Sequence, residues 1–163
     1  DLKTSVESGS KEFKKNGPDK IDFVEALFGL RNLELVYLDK NFISIRKSKE
    51  IPWDDLVAKI LETLTYKFNE KSTLLKFSEE SEFTDDVSKR IEEVLNEKIR
   101  PAVAMDGGDI RLKSFKDGIA EVILKGACAG CPSSTVTLKH GVERMIKHYV
   151  PEVQSVEALN IND

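Results

Sequence analysis

The sequence predicts an α+β protein built from two small domains. Three observations predict it. Apolar residues recur at three- and four-residue spacing in several stretches, short alternating runs lie between them, and one polar stretch divides two such sets. The 163 residues suit one ordinary domain or two small ones, and a hydrophobic fraction of 40% is enough for packed cores.

Residues 1–20 are polar, contain Gly9, Gly17 and Pro18, and show no sustained period. Thr4-Ser5-Val6-Glu7 offers a short strand at most. From Ile21 to Leu30, Phe23, Val24, Leu27, Phe28 and Leu30 fit a short helix with one buried stripe. Leu33–Leu38 and Phe42–Arg46 read as two strands joined by a turn at Asp39-Lys40-Asn41. Pro52 opens a second helix, at a position whose N–H has no helical partner. Its apolar residues Trp53, Leu56, Val57, Ile60, Leu61, Leu64 and Phe68 repeat at three and four. Trp53 and the Phe-rich first helix read as core.

The stretch from Asn69 to Phe83 turns to Glu, Lys and Ser around Leu74-Leu75, and reads as a linker. The expected organisation is therefore an N-terminal domain over 1–68, a linker over 69–83 and a C-terminal domain over 84–163.

In the second domain Thr84 is the expected N-cap, and Asp85 and Asp86 suit the positive end of the helix dipole. Val87, Ile91, Val94, Leu95 and Ile99 form the buried stripe, and Pro101 marks the approximate end. Met105-Asp106-Gly107-Gly108-Asp109 is a turn rather than a calcium loop, because it lacks the run of oxygen ligands such loops carry. Ile110–Lys113 and Ile119–Lys125 form a hairpin through Lys116-Asp117-Gly118. A helix from Pro132 follows, with Leu138, Val142, Met145, Ile146 and Tyr149 facing one way, and Val153–Leu159 is a last strand. Helix, strand, strand, helix, strand fits helices on one face of a small sheet. Both domains run helix, hairpin, helix, the pattern that a distant internal duplication would leave.

Charge and composition exclude some functions. The net charge of −4, from 25 basic and 29 acidic residues, lacks the basic excess of a nucleic-acid binder. No apolar run approaches the ~20 residues of a membrane span. Two cysteines are too few for a secreted disulfide scaffold, and a close pair in a reducing compartment points to metal or redox work.

That pair is Cys128-Ala-Gly-Cys131, directly before the helix at Pro132. A helix N-terminus presents unpaired N–H groups and positive potential, which stabilise the thiolate that binds metal or attacks disulfides. Gly126 and Gly130 permit close backbone approach, and Ser133, Ser134 and Thr135 add hydroxyls. Zinc and iron–sulfur sites ask for four ligands, so the pair is half a site. His140 and His148 lie roughly 13 and 25 Å along the helix at 1.5 Å per residue, too far to complete it well. A thioredoxin-like dithiol should follow the first strand of a βαβ unit, whereas this one follows a hairpin with Ala127 before the first cysteine. Three completions are open: the histidines, a second copy of the chain, or redox chemistry without metal.

The stretch from Ile99 to Leu159 resembles the C-terminal domain of NifU and the Nfu iron–sulfur scaffold proteins. The residues that carry the resemblance are Arg100-Pro101, Asp106-Gly107-Gly108-Asp109, Gly126–Ser134, Thr137-Leu138-Lys139, Gly141-Val142-Glu143 and Pro151-Glu152-Val153. Residues 23–68 resemble the Nfu N-terminal domain through Phe42–Ile45 and Ile51-Pro52-Trp53. The strand with a Pro-Asn-Pro-Asn-type motif that opens that domain has no match, so 1–68 is expected to lack its first strand. The resemblance implies a carrier, not an enzyme, that holds a 4Fe–4S (or 2Fe–2S) cluster between two chains through Cys128 and Cys131 of each. It would receive the cluster from upstream assembly proteins and pass it to apo iron–sulfur proteins. Bacterial cytoplasm or the mitochondrial matrix is the implied location. A thiol–disulfide oxidoreductase and a zinc-binding adaptor are the alternatives.

Overall fold

A computed structural model describes residues 6–69, 75–77, 83–129 and 132–159, and the chain divides into two units, Asp1–Glu79 and Glu80–Asp163. The mixed content of helix and sheet in both units is the α+β architecture expected from the periodicities.

In chain order the first unit contains β1 (Val6–Ser8), β2 (Lys11–Lys14), α1 (Asp22–Gly29), β3 (Leu33–Leu38), β4 (Ile43–Lys47), α2 (Asp54–Asn69) and β5 (Leu75–Lys76). The most apolar strand, β3, lies at the centre of an antiparallel sheet ordered β2-β3-β4. Its Leu33 and Val36 pack with Val24, Leu27 and Phe28 of α1 and with Leu56, Ile60 and Leu64 of α2.

Three readings need correction in this unit. The polar start carries β1, which overlaps the short strand read at Thr4–Glu7, and also β2, which was not expected. In β2 a single apolar residue, Phe13 (2% exposed), anchors Lys11-Glu12-Phe13-Lys14 along the edge of β3, and one anchor cannot show a period. The segment read as linker supplies β5, which pairs parallel with β1, and Phe77, whose ring meets Phe13 edge-on at 6.0 Å. Trp53, by contrast, is not core. It is 44% exposed, and Val57 and Leu61 on the following turns are exposed with it. The buried row of α2 is Leu56, Ile60 and Leu64, so its apolar stripe is wider than the face the unit covers.

The second unit contains α3 (Asp86–Val94), a π-helical turn (Leu95–Ile99), α4 (Arg100–Met105), β6 (Gly108–Lys116), β7 (Ile119–Gly126), α5 (Pro132–Tyr149) and β8 (Ser155–Leu159). Asp85 rather than Thr84 caps α3, its Oδ1 accepting from Ser88 N–H at 2.7 Å. Pro101 does not end the helix. Proline lacks an N–H and its ring crowds the carbonyl four residues back. The chain answers by widening one turn, with Arg100 N–H donating to Leu95 O, and then continues to Met105.

The β6–β7 hairpin turns at Asp117 (φ 51°) and Gly118 (φ 79°), the Asp-Gly pair that accepts positive φ at both central positions. Along β7 every second residue, Ala120, Val122 and Leu124, is buried. These pack with Ile110, Leu112 and Val156 against Ile91, Leu95, Val142 and Ile146, so the helices cover one face. Met145 and Tyr149 lie partly exposed beside the buried Val142–Ile146 row. The side chains of Phe68, Leu138, Ser133, Ser134 and Thr135 lie outside the described residues, as does Leu74.

The sheet order is β6-β7-β8, with β7 and β8 parallel. The first sheet is antiparallel throughout, so the shared helix–hairpin–helix pattern of the two units does not extend to strand topology.

Candidate functional site

Cys128 follows the last residue of β7 by two positions. Gly126 at that strand end has φ 64° and pairs in register with Gly108 at the start of β6; Gly107 beside it has φ 74°. Both positive φ values suit glycine alone without strain. Ala127 N–H donates to Gly107 O at 3.1 Å and Ala129 N–H to Gly126 O at 3.2 Å, which folds the start of the cysteine loop back over the glycine pair.

This fold-back makes a socket. A Cβ placed on Gly108 would overlap Cys128 Sγ and come within 3.0 Å of Cys128 Cβ and 3.1 Å of its N. The sulfur occupies the space that any other residue at 108 would fill. Cys128 is 9% exposed and belongs to the core of the unit.

The floor of the socket is tied down by charge. The Asp109 carboxylate (side chain 7% exposed) accepts four donors, two on each oxygen. Oδ1 takes Arg100 Nε at 2.8 Å and Ile110 N–H at 2.9 Å; Oδ2 takes Arg100 Nη2 at 3.2 Å and Arg111 Nε at 3.0 Å. Its lone-pair sites are thus filled, as a buried carboxylate requires. Arg100 extends the network, with Nη1 3.7 Å from Glu92 and bonded to Asn96. Glu92 Oε2 in turn accepts from Leu112 N–H at 3.4 Å. The chain of contacts joins α3, the π-helical turn and β6 next to Cys128. The widened turn before Pro101 carries Asn96 and delivers Arg100 to the carboxylate.

Among the residues singled out from sequence, Cys128 lies in this socket, and Cys131, like Gly130, lies outside the described residues. His140 and His148 are exposed along α5. Among the described residues no group of three or more His, Cys, Asp and Glu side chains lies together as a metal ion would need. Of Met105–Asp109, read as a turn, only Asp106 and Gly107 lie between elements; Met105 ends α4 and Asp109 is the second residue of β6, where its work is ionic. The sequence reading missed the socket at Gly108 and the pairing of Arg100 with Arg111 across one carboxylate. The available signal was a glycine at a strand start, which marks close backbone approach.

One premise of the sequence reading is altered. The cysteine loop does follow a hairpin, yet β7, α5 and β8 form a parallel crossover. The loop therefore stands at the start of a βαβ unit after all.

Fold and site together define a two-domain α+β protein whose second domain carries a cysteine loop between a sheet and its crossover helix. Residues 91–157 match the NifU-like domain and residues 2–72 match the Nfu/NifU scaffold-protein N-terminal domain. The chain belongs to the Nfu/NifU family. It is similar to the human protein named NFU1 iron-sulfur cluster scaffold homolog, mitochondrial, with 39% identity over 139 residues that cover 80% of this chain and 54% of the human one. It is similar also to NifU-like protein 5, mitochondrial, of Arabidopsis thaliana, with 33% identity over 95% of this chain and 60% of the relative. NifU-like protein C1709.19c of Schizosaccharomyces pombe is 30% identical over 91% of this chain and 61% of its own length. The chain thus spans between half and two thirds of the length of these relatives. Among the described residues no helix is long and apolar enough to cross a membrane.

Proposed function

We propose that this chain is an iron–sulfur cluster scaffold or carrier rather than an enzyme. In this reading Cys128 and Cys131 of two copies hold one 4Fe–4S cluster as cargo, which is then passed to apo iron–sulfur proteins. The observation that carries the reading is the placement of the Cys128 sulfur at the Gly107-Gly108 floor, with Cys131 the residue immediately before α5. Two thiolates per chain at the start of a helix offer soft ligands with N–H donors behind them. The chain supplies half of a four-thiolate set, and a second copy supplies the rest. Cys128 is 9% exposed, so uptake requires the loop to turn its sulfur outward. A site that must open to load and that two chains share suits transfer better than turnover. The relatives' names support the scaffold role and a mitochondrial setting.

Anaerobic reconstitution tests this directly. Iron, sulfide and protein assays should give four irons and four sulfides for every two chains, with the loaded species a dimer by native mass. Loss of the cluster absorbance in Cys128→Ala is expected. A full cluster on a monomer, or equal iron uptake by Cys128→Ala, refutes the proposal.

The parallel crossover favours a second reading, a thiol–disulfide oxidoreductase, because redox dithiols occupy this place in βαβ units. Reduction of insulin disulfides by the apo protein, abolished in Cys128→Ser, supports that reading; no reduction removes it.

A further inference from the structure

Filling the Gly108 socket and holding cargo make opposite demands on one sulfur. In the closed position Cys128 packs into the core cluster that contains Ile110, Leu112 and Leu124. Its Sγ takes the volume that a side chain at 108 would fill. A thiolate that shares a cluster with a second copy must instead present its sulfur outside the unit. One sulfur cannot do both at once.

The two sides of the socket are held differently. Gly108 and Gly126 pair in register at the end of the β6–β7 ladder, and Asp109, the next residue, accepts from Arg100, Ile110 and Arg111. The floor is therefore fixed. The cysteine side is a loop clasped by Ala127 N–H to Gly107 O and by Ala129 N–H to Gly126 O, at 3.1 and 3.2 Å. These clasps flank Cys128 on either side in sequence, so they yield when its sulfur turns outward, while the floor stays in place. A fixed floor under a lightly clasped loop makes a two-position element.

We propose that the socket is a closing device that competes with the cargo for the Cys128 sulfur and so promotes release. The proposal rests on the cluster-carrier reading and adds how such a site lets go. Binding draws on the open fraction of chains only, so apparent affinity is the intrinsic affinity multiplied by that fraction. When an acceptor takes the cluster, the sulfur returns to the socket and regains its packing. For a cargo shared by two copies the open fraction enters once per chain, and its effect is squared.

Gly108→Ala is the direct test. Gly108 is not among the glycines at positive φ, so the methyl group fills the socket without straining the backbone at 108, and the open fraction rises. In the full apo chain, alkylation of Cys128 resolved by peptide mass should quicken by a factor of roughly five or more. Zinc affinity, read by competition with an indicator chelator, should rise by the square of that factor. After anaerobic reconstitution the variant should surrender cluster iron to a chelator more slowly than the parent. Ala127→Pro removes one clasp at an exposed residue without adding bulk to the core, and should move the readouts the same way. Gly141→Ala, whose added Cβ meets nothing within 4 Å, should move none of them. All are measured well below each variant's melting point. Unchanged alkylation in both opening variants overturns the proposal, as does faster alkylation with unchanged or weaker zinc binding. A rise in zinc affinity by the first power supports the device and refutes sharing between two copies. Failure to assemble any cluster refutes the carrier reading, while alkylation and zinc binding still decide the socket.

Discussion

Replacing Gly108 with alanine tests the socket through a single methyl group. The added Cβ would overlap Cys128 Sγ and stand 3.0 Å from Cys128 Cβ and 3.1 Å from its N, the last two tighter than most packed contacts and relieved only if the neighbour gives by a few tenths of an ångström. Rotating the sulfur away relieves only the first contact; the backbone of the cysteine loop must also retreat. Overpacking of this kind costs about 1–3 kcal/mol. For a unit the size of Glu80–Asp163 each kcal/mol moves Tm by about 4–8 °C, so a fall near 10 °C is expected. Far-UV circular dichroism follows both units while Trp53 fluorescence follows only the first, which serves as an internal reference. The same variant in a Cys131→Ser background should alkylate Cys128 at least several-fold faster, because the sulfur leaves its socket. Gly141→Ala is the control: nothing lies within 4 Å of its added Cβ, and in the interior of α5 alanine should stabilise by about 0.5–1 kcal/mol. The reasoning is refuted if Gly108→Ala melts within 2 °C of the parent and its Cys128 reacts no faster.

Two further outcomes follow from the charges. Asp109→Asn leaves Arg100 and Arg111 against a neutral amide that cannot accept four donors, and breaking a buried pair in this way costs roughly 3–5 kcal/mol; chemical denaturation should show the loss, while Asp86→Asn on the exposed side of α3 should change little. Glu143 accepts from Lys147 Nζ at 2.6 Å and from Val156 N–H at 3.2 Å, and these donors hold its carboxyl below the usual glutamate range. A lowered folded pKa contributes stability above the unfolded value and loses it as pH falls through the folded one. The melting gap between the parent and Glu143→Gln should therefore be full at neutral pH and close through and below the glutamate range; a gap independent of pH would remove the ionic contribution.

Much of the fold was legible because its amphipathic elements are long. The rows Leu56–Ile60–Leu64 and Val142–Ile146 repeat at helical spacing, and Ala120, Val122 and Leu124 alternate as strands do. What was not legible depends on partners distant in sequence. Lys11–Lys14 is a strand because β3 offers an edge, and Leu75-Lys76 because β1 does. Trp53 looks like core by type, and only the three-dimensional arrangement leaves it exposed. At the candidate site the cysteine spacing was visible, but the contact of Gly108 with a sulfur twenty residues later was not. Nor does residue type reveal that Arg100 and Arg111 converge on one carboxylate. Helix continuation through Pro101 was hidden for a local reason: a widened turn leaves no mark in the pattern of apolar residues.

The pairing of β1 with β5 sets an order of events. Val6 and Leu75, partners in register, are 69 residues apart, so the pair closes only after the rest of the first unit has been made. At about 5–20 residues per second, a chain emerging from its N-terminus carries an unpaired β1 for roughly 3–14 s. Val6, 4% exposed once folded, is open to other contacts throughout that interval. The same pair spans the whole unit, so the entropy of closing that loop makes it a natural place for the unit to open first. A fragment cut at the end of α2 would never close at all, since it lacks both β5 and the Phe77 ring that covers Phe13.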